Sequence, residues 1–264
     1  MEKILKHEVE GFGVTYDRYV MSRHQQILTR DLNLNKILEA PTHGAKAASS
    51  IYSLGFAQAG CEVNLVNPDD KMIGVWKRLG LDKNLKLHRD IDVYNMPFED
   101  NSFDLVWNFV TFTELKDIPA FLKEMKRVTR KYIYLISCNN FQLGYPLHRC
   151  IHKIFGFPWN HGNTYFNFVG NVKKELRKTG LRISESGAID TPPWPDPVGP
   201  RDIRLHKNFG KDKQYIPEWE VPIEKYMKTG FPLWIKTLGA YDIALRKGYL
   251  KLPFSHLFYV LAEK

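Results

Sequence analysis

The sequence lacks the features that mark several classes of protein. Its three cysteines, Cys61, Cys138 and Cys150, are widely spaced and form no C-x-x-C pair, so we expect free thiols and no metal site. It contains no run of about 18 apolar residues that would predict a spanning helix. The first residues have no apolar core of the kind found in a signal peptide. We therefore expect a cytoplasmic protein.

The sequence also lacks a Gly-x-Gly-x-x-Gly turn followed by an acid at the usual distance, which argues against a nicotinamide dehydrogenase. Its 264 residues are enough for one large α/β domain or two small ones, and 44% of them are hydrophobic. The 38 lysines and arginines exceed the 29 acids, and the net charge of +9 favours an anionic partner without identifying it.

Predicted strands and helices alternate along the first half of the chain. Short apolar or alternating runs predict strands, and apolar residues at helical spacing predict helices between them. The predicted strands cover 35–40, 61–66, 85–91, 103–109, 132–138, 181–189 and 256–262, and the predicted helices lie within 1–35 and cover 45–60, 69–80, 114–130 and 171–179. Residues 139–168 and 191–252 interrupt this alternation, and the first of these segments has the composition of a loop.

This order of elements predicts an α/β fold with a doubly wound, mostly parallel seven-stranded sheet. We divide the chain into an N-terminal helical cap (1–34), a Rossmann-like core (35–190 and 253–264) and an aromatic, basic lid insertion (191–252). Polar residues follow three successive strands, Glu39, Asn67 and Asp92. Since the ends of parallel strands share one edge of a sheet, this pattern favours a nucleoside-binding site there.

The stretch Asp92-Val-Tyr-Asn-Met-Pro-Phe-Glu-Asp-Asn-Ser-Phe-Asp-Leu-Val106 resembles a motif of class I S-adenosylmethionine-dependent methyltransferases, especially the small-molecule branch that includes quinone-biosynthesis enzymes. The resemblance extends over about 37–137. It implies a Rossmann-like methyltransferase fold, S-adenosylmethionine as the cofactor and methyl transfer as the activity.

The resemblance also implies individual roles. Asp92 would accept a hydrogen bond from the adenine amino group, with Val93 beside the ring. Asn67 would contact the ribose, helped by Asp69, and Glu39 would orient the methionine end. Asn108 and Phe109, together with Trp107, would border the methyl group, and Tyr16 and Tyr19 of the N-terminal helix would close over it.

The first loop departs from the family pattern. The family usually has three glycines at alternate positions after the acid, where they let the backbone approach the cofactor closely. This sequence has Glu39-Ala-Pro41-Thr-His43-Gly44, so that Pro41 stands near the first glycine position and only Gly44 remains. Some members of the family carry a proline there, so we include Pro41 and Gly44 among the cofactor-binding residues.

Methyl transfer needs a general base only when the acceptor must lose a proton. His43, His161 and Tyr16 are the candidates, although no spacing pairs any of them with a carboxylate. The tryptophans and basic residues of 139–168 and 191–252 suit a small-molecule or lipid-like acceptor. Residues 227–250, with apolar side chains flanked by lysines and arginines, suit peripheral contact with a membrane.

Two alternatives remain open. An RNA methyltransferase would fit the charge, but Asn108-Phe-Val-Thr111 replaces the Asn/Asp-Pro-Pro-aromatic sequence of base-amino methyltransferases, and no RNA-binding module is visible, so nucleic acid is disfavoured. A catalytically inactive methyltransferase fold that serves as a binding or partner subunit would explain the missing glycines and Asn67. Retention of Glu39 and Asp92 argues against it.

Overall fold

The structure, a computed structural model, describes residues 6–9, 12–42, 48–157, 162–193 and 217–264. The strands are β1 (Lys6–Val9), β2 (Lys36–Glu39), β3 (Glu62–Val66), β4 (Leu85–His88), β5 (Phe103–Phe109), β6 (Thr129–Cys138), β7 (Arg182–Ile189), β8 (Pro217–Glu220) and β9 (Leu257–Glu263). The helices are α1 (Phe12–Leu32), α2 (Leu54–Gln58), α3 (Asp70–Arg78), α4 (Ile118–Val128), α5 (Tyr145–Phe155), α6 (Val169–Lys178), α7 (Pro222–Thr229) and α8 (Leu233–Ala244).

Among the described residues, seven strands form one sheet in the order β4-β3-β2-β5-β6-β9-β7. Neighbouring strands are parallel except at β9, which runs antiparallel to both β6 and β7. The carboxyl ends of β2 to β7 therefore lie at one edge, together with the start of β9. The predicted mostly parallel seven-stranded sheet is confirmed. β1 pairs in parallel with β8 in a separate two-stranded sheet.

The central strands are buried on both faces because alternate side chains pack into two different clusters. Trp107 and Tyr134 pack on the face that is covered by α1. Val106 and Ile133, their neighbours in sequence, pack on the face that is covered by α4 and α6. This burial explains why β5 and β6 are apolar along nearly their whole length rather than alternating with polar residues.

Two sequence predictions about local structure are wrong. Residues 139–168 are not simply a loop, because they contain the 11-residue helix α5, which begins with Pro146 in its first turn. Within the described part of the helix predicted over 45–60, residues 48–60, only α2 is helical. Ala48 and Ser50 have φ angles of 50° and 64°, which are incompatible with a helix. The Ser50 hydroxyl instead accepts a 2.8 Å hydrogen bond from the Asp69 backbone, which fixes this segment against the start of α3.

The described part of the lid segment, 191–193 and 217–252, begins its second range with the strand β8. It contains α7 and α8, and α8 packs on α1, where Gly239 lies against the Tyr19 ring. None of the described helices combines the length and the apolar character needed to cross a membrane.

The contact between α1 and α2 depends on a glycine. A Cβ atom added at Gly55 would lie 2.5 Å from Ser22 Cα and 2.6 Å from Ser22 O, which are backbone atoms that cannot turn aside. We expect Gly55→Ala to lower the free energy of unfolding by about 1–3 kcal/mol, as overpacking does. Urea unfolding at constant pH would measure this change.

The control is Gly170→Ala in α6, where nothing lies within 4 Å of the added atom. That substitution should be neutral or stabilising by up to about 1 kcal/mol. Equal effects of the two substitutions would contradict the close contact between α1 and α2.

Candidate active site

The polar residues predicted to share an edge of the sheet do so. Glu39 ends β2, Asn67 follows β3, Asp92 lies in the loop after β4, and Asn108 and Phe109 end β5. These side chains differ in burial and in hydrogen-bond partners, and these differences determine whether each one can bind a ligand or only supports the backbone.

Glu39 is a buried acid, with only 1% of its surface exposed. The Ser53 hydroxyl donates a 2.5 Å hydrogen bond to its carboxyl group and accepts a 2.9 Å bond from the Trp107 indole. Burial raises the pKa of Glu39 to about 8, against the opposing effects of Ser53 and of the Arg18 charge. Glu39 is therefore largely protonated at neutral pH, and a cation beside it would favour the ionised form.

Glu39 lines a small cavity of about 10 Å³, together with Pro41, Thr42, Ser49, Tyr52, Phe109 and Thr111. This volume is close to that of a single water site. The ring of Phe109 lies on that of Tyr52, with 4.2 Å between centroids, and the Arg18 guanidinium lies 4.1 Å from the Tyr52 centroid. The Tyr52 and Phe109 rings must therefore move apart before a group larger than water can reach Glu39.

Asn67 and Asp92 are linked through the loop between them. Asn67 has a φ of 53°, and its amide exchanges two hydrogen bonds of 2.8 and 2.9 Å with the backbone of Ile91. Asp92 is exposed, and its carboxylate accepts a 2.9 Å bond from the Tyr94 backbone, while Val93 is buried behind it. Asn67 thus holds the backbone that presents Asp92, a role that the sequence did not suggest.

Asn108 supports the loop that contains Pro41. Its buried amide donates to the carbonyl oxygens of Ala40 and Pro41, at 2.8 and 3.1 Å, and accepts a 2.9 Å bond from the Phe112 backbone. These contacts join the end of β2 to the end of β5 through one side chain.

Of the three predicted candidates for a general base, only Tyr16 lies within the described residues. His43 and His161 fall outside them, as does Gly44. Tyr16 is fully buried and donates a 3.2 Å hydrogen bond to Asp242. Burial, and then the Asp242 charge, raise the pKa of Tyr16 well above its usual value, so its phenol is a hydrogen-bond donor at neutral pH.

Sequence reasoning missed a buried acid–histidine cluster at the same edge. His256 Nδ1 lies 3.2 Å from Asp190 Oδ2, and a carboxylate oxygen of Asp17 completes a group whose atoms all lie within 4.8 Å of one another. Asp190 directly follows β7 and His256 directly precedes β9. The sequence does contain a signal for this cluster, because Asp190 and His256 stand at the ends of two strands. The signal could be used only if the antiparallel pairing of β7 with β9 were known.

Helix α1 connects this cluster to the Glu39 cavity. Asp17 contributes to the cluster, while the next residue, Arg18, reaches Tyr52 and donates a 2.8 Å bond to the Ala48 carbonyl. Two consecutive residues of α1 therefore contribute to the cluster and to the wall of the cavity.

A larger apolar groove lies beyond the ends of β6 and β7. Its volume is about 500 Å³, and it is lined by Gln142, Leu143, Gly144, Thr191, Pro192, Pro193, Leu238, Tyr241, Pro253 and Phe254. Thr191 follows Asp190 of the acid–histidine cluster, and Phe254 precedes His256 by two residues. The groove is within the size range of sites for organic ligands.

The state of Glu39 predicts an unusual pH dependence of stability. The unfolded chain ionises Glu39 near its ordinary pKa of 4.5, whereas the folded protein does so near 8. Because the pKa of Glu39 is higher in the folded state, its contribution to the free energy of unfolding is fully present below the pKa of the unfolded state. This contribution is lost as the pH rises to the pKa of the folded state. The stability of the wild type should therefore fall relative to Glu39→Gln between about pH 5 and pH 8, by at most about 1.4 kcal/mol per pH unit.

Urea unfolding of both proteins across this range would test the prediction. Glu62→Gln is the matched control: burial raises the pKa of Glu62, but hydrogen bonds from Lys86 and Asn64 outweigh it and lower that pKa. A lowered pKa affects stability only as the pH falls towards it, so this variant should keep a constant difference from the wild type. A constant difference for Glu39→Gln as well would mean that Glu39 is ionised in the folded protein.

Comparison with known proteins agrees with this architecture. A family model described as a methyltransferase domain matches residues 47–136. No curated protein sequence matches the chain. The fold is similar to that of a SAM-dependent methyltransferase from Thermotoga maritima, at 11% identity, covering 94% of this chain and 91% of that one with a TM-score of 0.50.

Two further structures share the fold. Magnesium protoporphyrin IX methyltransferase from Synechocystis, solved with bound SAH, is 16% identical over 68% of this chain and 81% of its own, with a TM-score of 0.50. The cyclase SpnF is 12% identical over 99% of this chain and 87% of its own, with a TM-score of 0.55. Residues 47–136 therefore match a methyltransferase domain, and the chain shares its fold with S-adenosylmethionine-dependent methyltransferases.

Proposed function

We propose that the protein transfers a methyl group from S-adenosylmethionine to a small, apolar, lipid-like acceptor. The observation that carries this proposal is the buried carboxyl of Glu39, which lines a cavity at the same sheet edge as Asp92. The match of residues 47–136 to a methyltransferase domain and the SAH bound to the structurally similar Synechocystis enzyme support the choice of cofactor.

The residues at this edge suit the three parts of the cofactor. The ammonium of its methionine end would ionise Glu39, and the rings of Tyr52 and Phe109 would attract the sulfonium once they part. Asp92 would accept from the adenine amino group, with Val93 beside the ring. Because the Asn67 amide is engaged with Ile91, we assign the ribose to Asp69, a half-buried acid at the start of α3.

When bound, the cofactor supplies an activated methyl group, which passes to a lone pair of the acceptor while the carbon–sulfur bond breaks and sulfur keeps its electrons. Side chains then contribute mainly by placing the acceptor in line and excluding water. The buried rings around Glu39 and the apolar groove provide such surroundings.

For a hydroxyl acceptor we assign the proton to His256. Asp190 holds His256 at Nδ1, and an imidazole oriented by a carboxylate is an established arrangement for a general base. Thr191, next to Asp190, and Phe254, two residues before His256, line the groove, and this supports a role for the pair in handling an acceptor bound there. Tyr16, with its raised pKa, is suited to donate a hydrogen bond rather than to accept a proton.

Calorimetric titration with S-adenosylmethionine and S-adenosylhomocysteine tests the cofactor site. We expect binding to the wild type and a loss of about 1–3 kcal/mol in Asp92→Ala, because the adenine amino group would lose its acceptor. Glu99→Ala, a change at another exposed acid of the same loop, should leave the affinity unchanged. Protein free of nucleoside that gives no heat at high ligand concentration would favour the alternative of an inactive partner subunit.

Transfer of a radioactive methyl group from the cofactor to the organic phase of a lipid extract tests the reaction. We expect His256→Gln to lower the rate by about a hundredfold without changing cofactor affinity, since general-base catalysis contributes at least this much. Asp190→Asn should shift the pH dependence of the rate in the same assay. A rate in His256→Gln equal to that of the wild type would mean that no proton passes through this residue.

A further inference from the structure

We infer that the protein docks on an anionic phospholipid bilayer through one surface, the apolar face, formed by 141–155 and 233–254. Residues 227–250 already suggested membrane contact from sequence. The structure adds a second segment, α5, and joins the two. The bilayer would be the partner of the protein in the proposed function. The observations that support docking, however, are the exposure and the charge of this surface.

The exposed apolar side chains are confined to two parts of the chain. Among the described residues, every large hydrophobic side chain with high exposure lies in 141–165 or 233–254. They are Phe141, Leu143, Leu147, Ile154, Phe155, Tyr165, Leu233, Trp234, Tyr241, Leu245, Tyr249, Leu250 and Phe254. Isolated exposed apolar residues are ordinary, but this concentration on one part of a surface marks an interaction site.

The two segments adjoin in space. The Leu143 backbone donates a 2.9 Å hydrogen bond to the Pro253 carbonyl, and Leu143 and Tyr241 line the same groove. The apolar face is therefore continuous from the start of α5 to the middle of α8.

Helix α5 carries apolar side chains towards solvent and a polar one towards the protein. Leu147, Ile154 and Phe155 are 51%, 76% and 53% exposed, whereas His152 is 4% exposed and stacks on His148. A helix that covers a protein core has the opposite arrangement. An outward apolar side is the arrangement of a helix that lies in a membrane interface.

Helix α8 is apolar on nearly all sides. Ile235 and Gly239 face the protein, while Trp234, Tyr241 and, directly after the helix, Leu245 are 41%, 50% and 43% exposed. Tryptophan and tyrosine are enriched at the boundary between the apolar and polar parts of a bilayer, where their rings suit both environments.

The charge of these segments decides between a bilayer and an apolar protein partner. Residues 140–157 contain no acid, and residues 225–256 contain one, Asp242, which is buried and paired with Lys251. Exposed basic residues lie at Arg149, Lys153, Lys225, Lys228, Lys236 and Lys247. Of these, Lys228 and Lys247 form ion pairs with Glu224 and Glu185. Apolar side chains bordered by more bases than acids complement a surface of anionic head groups.

Docking in this orientation would also turn the groove, which lies within the apolar face, towards the bilayer. A lipid-like acceptor would then pass from the bilayer into the groove without crossing water.

Flotation of the purified protein with vesicles tests the inference without cofactor or acceptor. We expect binding to vesicles of phosphatidylcholine mixed with phosphatidylserine, weaker binding to phosphatidylcholine alone, and weakening by salt. Ile154→Ser combined with Leu250→Ser, and separately Lys153→Glu combined with Lys236→Glu, should each lower the affinity at least about tenfold. All four side chains are exposed, so circular dichroism and the melting temperature should match those of the wild type.

Lys83→Glu combined with Lys123→Glu is the matched control. It changes the net charge equally, but Lys83 precedes β4, the strand farthest from β7 in the sheet, and Lys123 lies on α4, on the sheet face opposite α1, so the affinity should change less than about twofold. The inference is overturned by failure to float with mixed vesicles, by binding that the variants of the apolar face retain, or by an equal loss in the control. Cofactor titration of the same proteins reports the proposed function separately.

Discussion

The burial of the Glu39 carboxyl group is the constraint on which the site depends. An ionised carboxylate in this position would lack the solvation of water, so the fold keeps the group protonated and hydrogen-bonded to Ser53. Ser53 is in turn bound by Trp107, a residue of the central strand β5, which ties the acid to the core of the sheet. A cationic ligand would add to the positive charge of Arg18, which alone does not offset the burial of Glu39.

The remaining polar groups at this edge are of two kinds: some hold the backbone in place, and others could act on a ligand. Asn67 and Asn108 hold backbone segments in place, whereas Glu39, Asp92 and the Asp190–His256 pair are the groups with chemistry to offer. Helix α1 lies across both regions through Asp17 and Arg18. The carboxyl edge therefore has two compartments, one suited to a charged nucleoside and the other leading to an apolar groove.

Much of the fold could be predicted because local patterns specify it. The apolar strands, the stop signals after them and the stretch 92–109 indicated the sheet and its ligand-binding edge. Helix α5 could not be recognised, because its exposed apolar side and its inward His152 reverse the usual pattern. The Asp190–His256 pair depends on the antiparallel pairing of β7 with β9, and the role of Asn67 depends on backbone geometry after β3. Neither kind of information is present in local sequence.

The pairing of β1 with β8 has a consequence for the order of folding. It joins residues such as Lys6 and Pro217, which are more than 200 positions apart, so its loop-closure entropy is large and its contacts are entirely non-local. We expect this small sheet to form after the seven-stranded sheet and to be among the first elements to open in the native protein. Because it connects the segment before α1 to the segment before α7, its opening would release both at once.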